Sequence, residues 1–240
     1  MLFRSLLILG LAISAMAEDE GSRCKDLPGA AQLRSLLRRA ATTATYGRVG
    51  GLFEGTRMWA AVVNRSGEFC AAATSTEDPT QVWPGSQAIA KTKAYTANAY
   101  SLDTLPLSTA RLYTFTQPGH SLWSLGHSNL FDTRFLVEPG KSEQGKNQIP
   151  GGGIFFGGGV PIYAGGKIIG ALGVSGDTSC ADHEIAKRVR DLAQLNPAGG
   201  MLADDIVYSP PEPASVFAHP LCLNTWRNGQ FIGEEKPASY

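Results

Sequence analysis

The sequence predicts an α+β fold in which helices pack on a mostly antiparallel, five-stranded sheet. From Gly151 to Gly176, the stretch GGGIFFGGGVPIYAGGKIIGALGVSG places apolar, β-branched residues on both sides of a Gly165-Gly166 turn. This pattern is typical of a β-hairpin. Along the whole chain, helical and strand periodicities follow one another as helix, two strands, helices, three strands and helix. That order favours helices layered on one sheet.

The first half of the chain supplies two helices and a hairpin. Leucine and alanine recur every three or four residues from Gly29 to about Tyr46, which predicts an amphipathic helix with arginines on its solvated face. Two strands, Met58 to Asn64 and Phe69 to Thr74, follow across a short polar turn. The next helix begins at Ser86, its candidate N-cap, and runs through Ala97.

The second half supplies the remaining elements. A short helix begins at Ser108, and strands lie near Ile154, Val160 and Lys167. The segment Ser179-Cys180-Ala181-Asp182 fits a capping box, so we expect the last helix to start there.

The glycine run also raises the alternative of a phosphate-binding loop. Gly157-Gly158-Gly159 matches neither G-x-x-x-x-G-K-[ST] nor a G-x-G-x-x-G that opens a helix, and a strand follows it. Turns and close backbone packing are therefore the favoured interpretation. Pro161 cannot donate a ladder hydrogen bond, so its strand is expected either to lie at an edge of the sheet or to begin at this residue.

The N-terminal residues 1–17 have the layout of a secretory signal peptide. Arg4 precedes the apolar run LLILGLAISAMA, which ends at the small-residue site Ala15-Met16-Ala17. The run is shorter than the roughly 20 residues that a membrane span needs. We therefore expect a secreted or periplasmic protein with no membrane span after cleavage. The formal net charge is zero, which argues against nucleic acid as a partner.

Four cysteines, Cys24, Cys70, Cys180 and Cys222, predict two disulfides in an oxidising compartment. Three connectivities are possible, and the spacing does not choose among them. We favour Cys180 with Cys222, since that bond would hold a proline-rich tail, and this leaves Cys24 with Cys70. No C-x-x-C pair occurs and the cysteines lie far apart in sequence, so no metal site is predicted.

Three segments, in order, resemble the GlcG/HbpS haem-binding family. FFGGGVPIYAGGKIIGALGVSGDTSCADHEIA resembles its glycine-rich hairpin and last helix, MWAAVVNRSGEF its first hairpin, and AIAKTKAYTA its second helix. The resemblance spans roughly Leu33 to Leu192. It implies a profilin-like or PAS-like sheet, a haem cofactor and a homo-oligomer. Residues 18–196 then form the family domain, and residues 197–240 a C-terminal extension.

Candidate ligand-binding residues come from a long aromatic loop and from the resemblance. The loop, Gln117 to Gly153, contains His120, Trp123 and His127, and an imidazole beside apolar rings suits haem. Exposed histidines with ordinary hydrogen bonds are the alternative. The resemblance adds Thr96 as a haem contact, although a helix threonine can instead bond its own backbone.

The remaining histidines and the first helix give weaker indications of a binding site. His183 and His219 are expected to be structural or exposed. The family's first helix can carry an acidic pair linked to iron, but Arg34, Arg38 and Arg39 occupy that region here, so an iron site there is not expected.

These observations predict an exported haem- or small-molecule-binding protein. Two alternatives stay open: an enzyme acting on a small organic acid or aromatic compound with the aromatic loop as its lid, and a ligand-free oligomeric sensor partner. The segment Gly173 to Asp177 lacks the final glycine of G-x-S-x-G, so no catalytic residue is assigned.

Overall fold

The computed structural model describes residues 23–136 and 146–239. The predicted signal peptide, residues 1–17, and part of the aromatic loop, residues 137–145, lie outside the described residues. The domain elements, in chain order, are α1 (Ala30–Thr42), β1 (Trp59–Asn64), β2 (Phe69–Thr74), α2 (Gly85–Tyr100), α3 (Leu125–Ser128), β3 (Gly159–Ala164), β4 (Lys167–Ser175) and α4 (Ser179–Leu192). The tail adds β5 (Val207–Tyr208), β6 (Ala218–His219), β7 (Thr225–Arg227) and β8 (Gln230–Gly233).

The fold is α+β, as predicted, with an antiparallel main sheet in the order β2-β1-β4-β3. The prediction of five strands is wrong by one, because the segment at Ile154 does not join the sheet. Gly151 and Gly152 turn the chain with positive φ, and the Ile154 amide then donates to Thr96 Oγ1 at 3.1 Å. Its backbone thus bonds a helix side chain instead of a neighbouring strand.

Both faces of the sheet are covered, which explains why every residue of β1 is buried. Ala60 and Val62 point to the core beneath α1 and α4, while Ala61 and Val63 point to the opposite side, where α2 packs. This alternation is the two-residue period of a strand.

The glycine run serves close packing, as expected. A Cβ on Gly158 would lie 2.5 Å from Val174 O, and one on Gly159 would lie 2.5 Å from Lys93 O. Real Cβ atoms do not approach oxygen so closely, so the run lets β3 approach both α2 and β4. Pro161 is in the edge strand β3, which confirms the edge prediction.

Other segments of the chain bond to both edge strands of the sheet. On β3, the Tyr163 amide donates to Leu195 O at 2.9 Å. On β2, the Phe69 amide donates to Gln148 O, and Phe69 O accepts from the Asn147 amide. Chain segments therefore already bond both edge strands.

Helix α1 has the predicted amphipathic faces: its leucines, Leu33, Leu36 and Leu37, are buried, whereas Arg38 and Arg39 are exposed.

Two cap predictions are wrong by a residue or two. Ser86 lies buried within the first turn of α2, one residue after the helix begins. At α4 the N-cap is Thr178, whose side chain accepts from the Ala181 amide, while Asp182 accepts from the Asp177 amide. The capping pattern is thus present but starts one residue earlier.

The C-terminal extension is tied to α4. Cys180 of α4 is bonded to Cys222 and Cys24 is bonded to Cys70, which is the favoured pairing. Buried Arg190 bonds both carboxylate oxygens of Asp204. No helix among residues 23–136 and 146–239 has the length and apolar character needed to cross a membrane.

Candidate functional site

The described parts of the aromatic loop pack against α2. Lys91 Nζ donates to Phe135 O, and a Cβ on Gly152 would contact the side chain of Thr92. The loop therefore rests on the helix that carries the predicted Thr96.

The first part of this loop, Gln117 to Leu130, holds three of the predicted site residues; we name it the histidine loop. The Trp123 amide donates to His120 O at 3.1 Å, and the Trp123 and His127 rings meet edge-on with centroids 5.7 Å apart. Both histidines are exposed, and Trp123 is 51% exposed. The fold thus brings two accessible imidazoles and an indole onto one surface segment.

Thr96 lies one layer behind this surface. It is fully buried, and its hydroxyl donates to Thr92 O at 2.8 Å while accepting from the Ile154 amide. The next residue, Phe155, packs near Tyr100, and a Cβ on Gly126 would meet its ring at 3.4 Å. Thr96 therefore bonds the backbone of its own helix, which is the alternative interpretation given above. It also holds in place the segment that packs against the histidine loop.

Phe131, which directly follows the histidine loop, does not add to its apolar surface. Instead its ring packs edge-on against buried Phe135, 6.4 Å away, next to the core formed by Trp59 and Phe69. The exposed apolar area of the histidine loop comes from Leu122, Trp123 and Leu130.

Sequence reasoning missed a buried ion pair beneath the glycine run. Lys93 Nζ lies 2.7 Å from Asp182 Oδ2, donates to Val174 O at 3.1 Å and lies 4.8 Å from the Phe156 ring centroid. Burial lowers the pKa of Lys93, and Asp182 opposes that change. Burial likewise raises the pKa of Asp182 to about 6 against the effect of Lys93. The pair joins α2 to the start of α4, next to the C-terminal end of β4.

The other two histidines are both buried, so the structural half of their prediction holds. His183 Nε2 lies 3.3 Å from Asp205 Oδ1. His219 Nδ1 lies 2.7 Å from Pro220 O, and its Nε2 accepts from the Gly157 amide at 3.2 Å. Burial lowers the pKa of His219 to about 4.

The spacing of the cysteines argued against a metal site, yet folding brings three possible ligands together. The ligand atoms of Cys180, Cys222 and His219 all lie within 4.8 Å of one another. This is the sole such group among residues 23–136 and 146–239.

Comparison with known proteins places the fold in context. A family model described as "Haem degrading protein HbpS-like" matches residues 33–191. No curated protein matches the chain.

Three solved structures are similar to parts of the chain. Klebsiella pneumoniae protein ORFY is 24% identical, with 68% of this chain and 86% of that chain covered and a TM-score of 0.46. The PduOC complex with haem is 24% identical, with 67% and 91% covered and a TM-score of 0.45. A double mutant of HbpS from Streptomyces reticuli is 20% identical, with 67% and 83% covered and a TM-score of 0.39.

Proposed function

The chain belongs to the HbpS-like haem degrading protein family, and from that premise we propose that it binds haem at the histidine loop. The observation that carries the proposal is the surface made by His127 against Trp123, with His120 one turn away. Haem needs an axial donor for its iron, such as an imidazole nitrogen, and apolar area for its macrocycle. An exposed imidazole beside a half-exposed indole fits both needs.

In this proposal His120 or His127 is the axial ligand, and Trp123 covers part of the macrocycle. Thr96 does not touch the ligand; it positions Ile154, and through the neighbouring Phe155 the histidine loop. When bound, haem would supply an iron centre at the protein surface. The residues of this chain orient it and exclude water from one face.

Haem titration of the purified chain tests the proposal. We expect the natural chain to shift the Soret band of haem to that of a histidine-ligated haem, and we expect this shift to be lost when both His120 and His127 are replaced by alanine. An iron–nitrogen bond has no substitute, whereas apolar area is lost in proportion, at about 25 cal/mol per Å². Trp123→Ala and Thr96→Ala should therefore weaken affinity without changing the spectrum.

Trp83→Ala is the matched control. Trp83 is 49% exposed, close to the exposure of Trp123, and lies outside the histidine loop. It should leave affinity unchanged. An unchanged spectrum and affinity in the double histidine variant would refute ligation by this loop. Failure of the natural chain to bind at tens of micromolar would refute haem binding itself.

We also propose that the chain is exported. Its support is the N-terminal pattern of Arg4, an apolar run and a small-residue site, together with two disulfides that suit an oxidising compartment. The intact mass of the exported product should match residues 18 to 240 less four hydrogens. A product that retains its first 17 residues would contradict cleavage.

Self-association is the third part of the proposal. Because both edge strands already bond neighbouring chain segments, open sheet edges do not support it. It rests on what the family resemblance implies. Light scattering at micromolar concentration should give a multiple of the chain mass, and a mass near 25 kDa would contradict it.

A further inference from the structure

We propose that Cys180, Cys222 and His219 form a redox-gated site for a thiophilic cation of the Zn²⁺ type. In the oxidised protein the two sulfurs are bonded to each other. A dithiol that gives up two electrons and two protons and becomes a disulfide, or a phosphine that gives up two electrons and becomes its oxide with water as the source of oxygen and of the two protons, converts this bond to two thiols. One divalent cation then replaces the two thiol protons, which are released to solvent.

The tautomer of His219 suits this role. Nδ1 lies 2.7 Å from Pro220 O, which can only accept, so Nδ1 carries the proton. Nε2 therefore carries the lone pair, which accepts from the Gly157 amide in the oxidised protein; the ligand atoms of His219 and the two cysteines lie within 4.8 Å of one another, so a bound cation would replace that hydrogen bond. Metal-bound histidines in proteins are commonly held in this way, by a carbonyl oxygen on the other ring nitrogen.

The surroundings of the sulfurs stabilise negative charge. The Cys180 amide donates to Cys222 Sγ at 3.2 Å, and Ser179 Oγ lies 3.3 Å from the same sulfur. Cys180 is in the first turn of the 14-residue helix α4, where backbone amides favour a thiolate. Both disulfides have a carbonyl oxygen near a sulfur, Pro220 O 3.7 Å from Cys180 Sγ and Glu68 O 3.6 Å from Cys70 Sγ, so the amide donor to Cys222 Sγ is what favours a thiolate here.

Distances and charge are compatible with zinc. Tetrahedral Zn²⁺ with Zn–S bonds of about 2.3 Å separates two sulfurs by roughly 3.8 Å. The Cα atoms of Cys180 and Cys222 lie 6.0 Å apart, so rotation of the side chains can open the sulfurs to that separation. Two thiolates and a neutral imidazole around Zn²⁺ make a complex without net charge, which suits three ligands that are all buried.

The proposed consequence is that the C-terminal extension stays attached in two redox states. The disulfide holds Cys222 to α4 in the oxidised protein, and the metal would hold the same residues after reduction.

Metal titration of the full chain, oxidised and after anaerobic reduction with a phosphine, tests this inference. We expect the reduced chain to bind one Co²⁺ with thiolate-to-metal charge-transfer absorption, and to exchange it for one Zn²⁺. The oxidised chain should bind none at this site. His219→Gln should weaken binding at least about tenfold.

Removal of either cysteine pair provides matched variants, since the two disulfides close segments of similar length, 42 and 46 residues. Cys180→Ser with Cys222→Ser should abolish binding, whereas Cys24→Ser with Cys70→Ser should retain one equivalent. Equal binding by these two variants, equal binding before and after reduction, or no binding by the reduced natural chain would overturn the proposal.

A measurement on the natural chain alone guards against variants that fail to fold. In the reduced chain, Zn²⁺ should slow alkylation of Cys180 and Cys222 but not that of Cys24 and Cys70. Equal alkylation of all four cysteines with and without Zn²⁺ would also overturn the proposal.

Discussion

The buried ion pair between Lys93 and Asp182 is a contact whose disruption we expect to destabilise the protein strongly. The two side chains are 0% and 2% exposed, and their charged atoms lie 2.7 Å apart. Removing one partner leaves the other charge buried without compensation, which typically costs about 3–5 kcal/mol. A domain is usually stable by only about 5–15 kcal/mol, so either single variant should lose between about a fifth of its stability and all of it.

Removing both charges should cost less than the two single variants together. Lys93→Met with Asp182→Leu leaves no buried charge, although Val174 O and the Asp177 amide lose a partner at about 1–3 kcal/mol each. We therefore expect a coupling energy of at least about 2 kcal/mol between the two substitutions.

Urea unfolding of the two single variants and the double variant measures this coupling. Lys167→Met is the control, because Lys167 lies 2.8 Å from Asp103 with its side chain 76% exposed, and such pairs contribute at most about 1 kcal/mol. Additive losses, or a single-variant loss as small as that of the control, would refute the view that burial makes this pair indispensable.

Three smaller predictions follow from the same packing. Burial lowers the pKa of Lys91 from 10.5 to about 8, so the unfolded chain binds more protons between these values. Between about pH 8 and pH 10.5 the free energy of unfolding of the natural chain should rise by at most about 3 kcal/mol more than that of Lys91→Met. Urea unfolding at several pH values measures this difference, and parallel pH profiles for the two proteins would contradict it. Gly159→Ala should cost about 1–3 kcal/mol by overpacking, whereas Gly85→Ala, with open space around its Cβ, should not lower the melting temperature. Thr96→Val should speed hydrogen exchange of the Ile154 amide, and unchanged exchange would rule out that bond.

The helices and strands were predictable because the spacing of their apolar residues in the sequence matches the face that is buried. Leu33, Leu36 and Leu37 share one helical face, and the hairpin turn at Gly165-Gly166 has positive φ at both glycines. The same pattern wrongly predicted a strand at Ile154. Its apolar residues suit a strand, and only the position of Thr96 on a neighbouring helix shows where its amide bonds.

Lys93 shows why the buried charges were harder to find. Lysine in a helix is usually solvated, and the sequence KTKAYTA gives no acidic neighbour. A signal was nevertheless present, since Lys93 lies three residues after Ala90 and four before Ala97, on the buried face of α2. Its partner, Asp182, lies 89 residues away in sequence, so only the fold could identify it.

The glycine-rich motif and the proposed ligand surface therefore have different roles. Gly158 and Gly159 allow β3 to approach α2, and the Lys93 ion pair fixes the same junction from within. None of these groups is exposed, so they specify the fold rather than a binding surface. The accessible imidazoles lie instead on the histidine loop, outside the segments that carry the family resemblance. Members that share the motif can therefore differ in ligand, because the residues that would contact it are not those that hold the sheet and helices together.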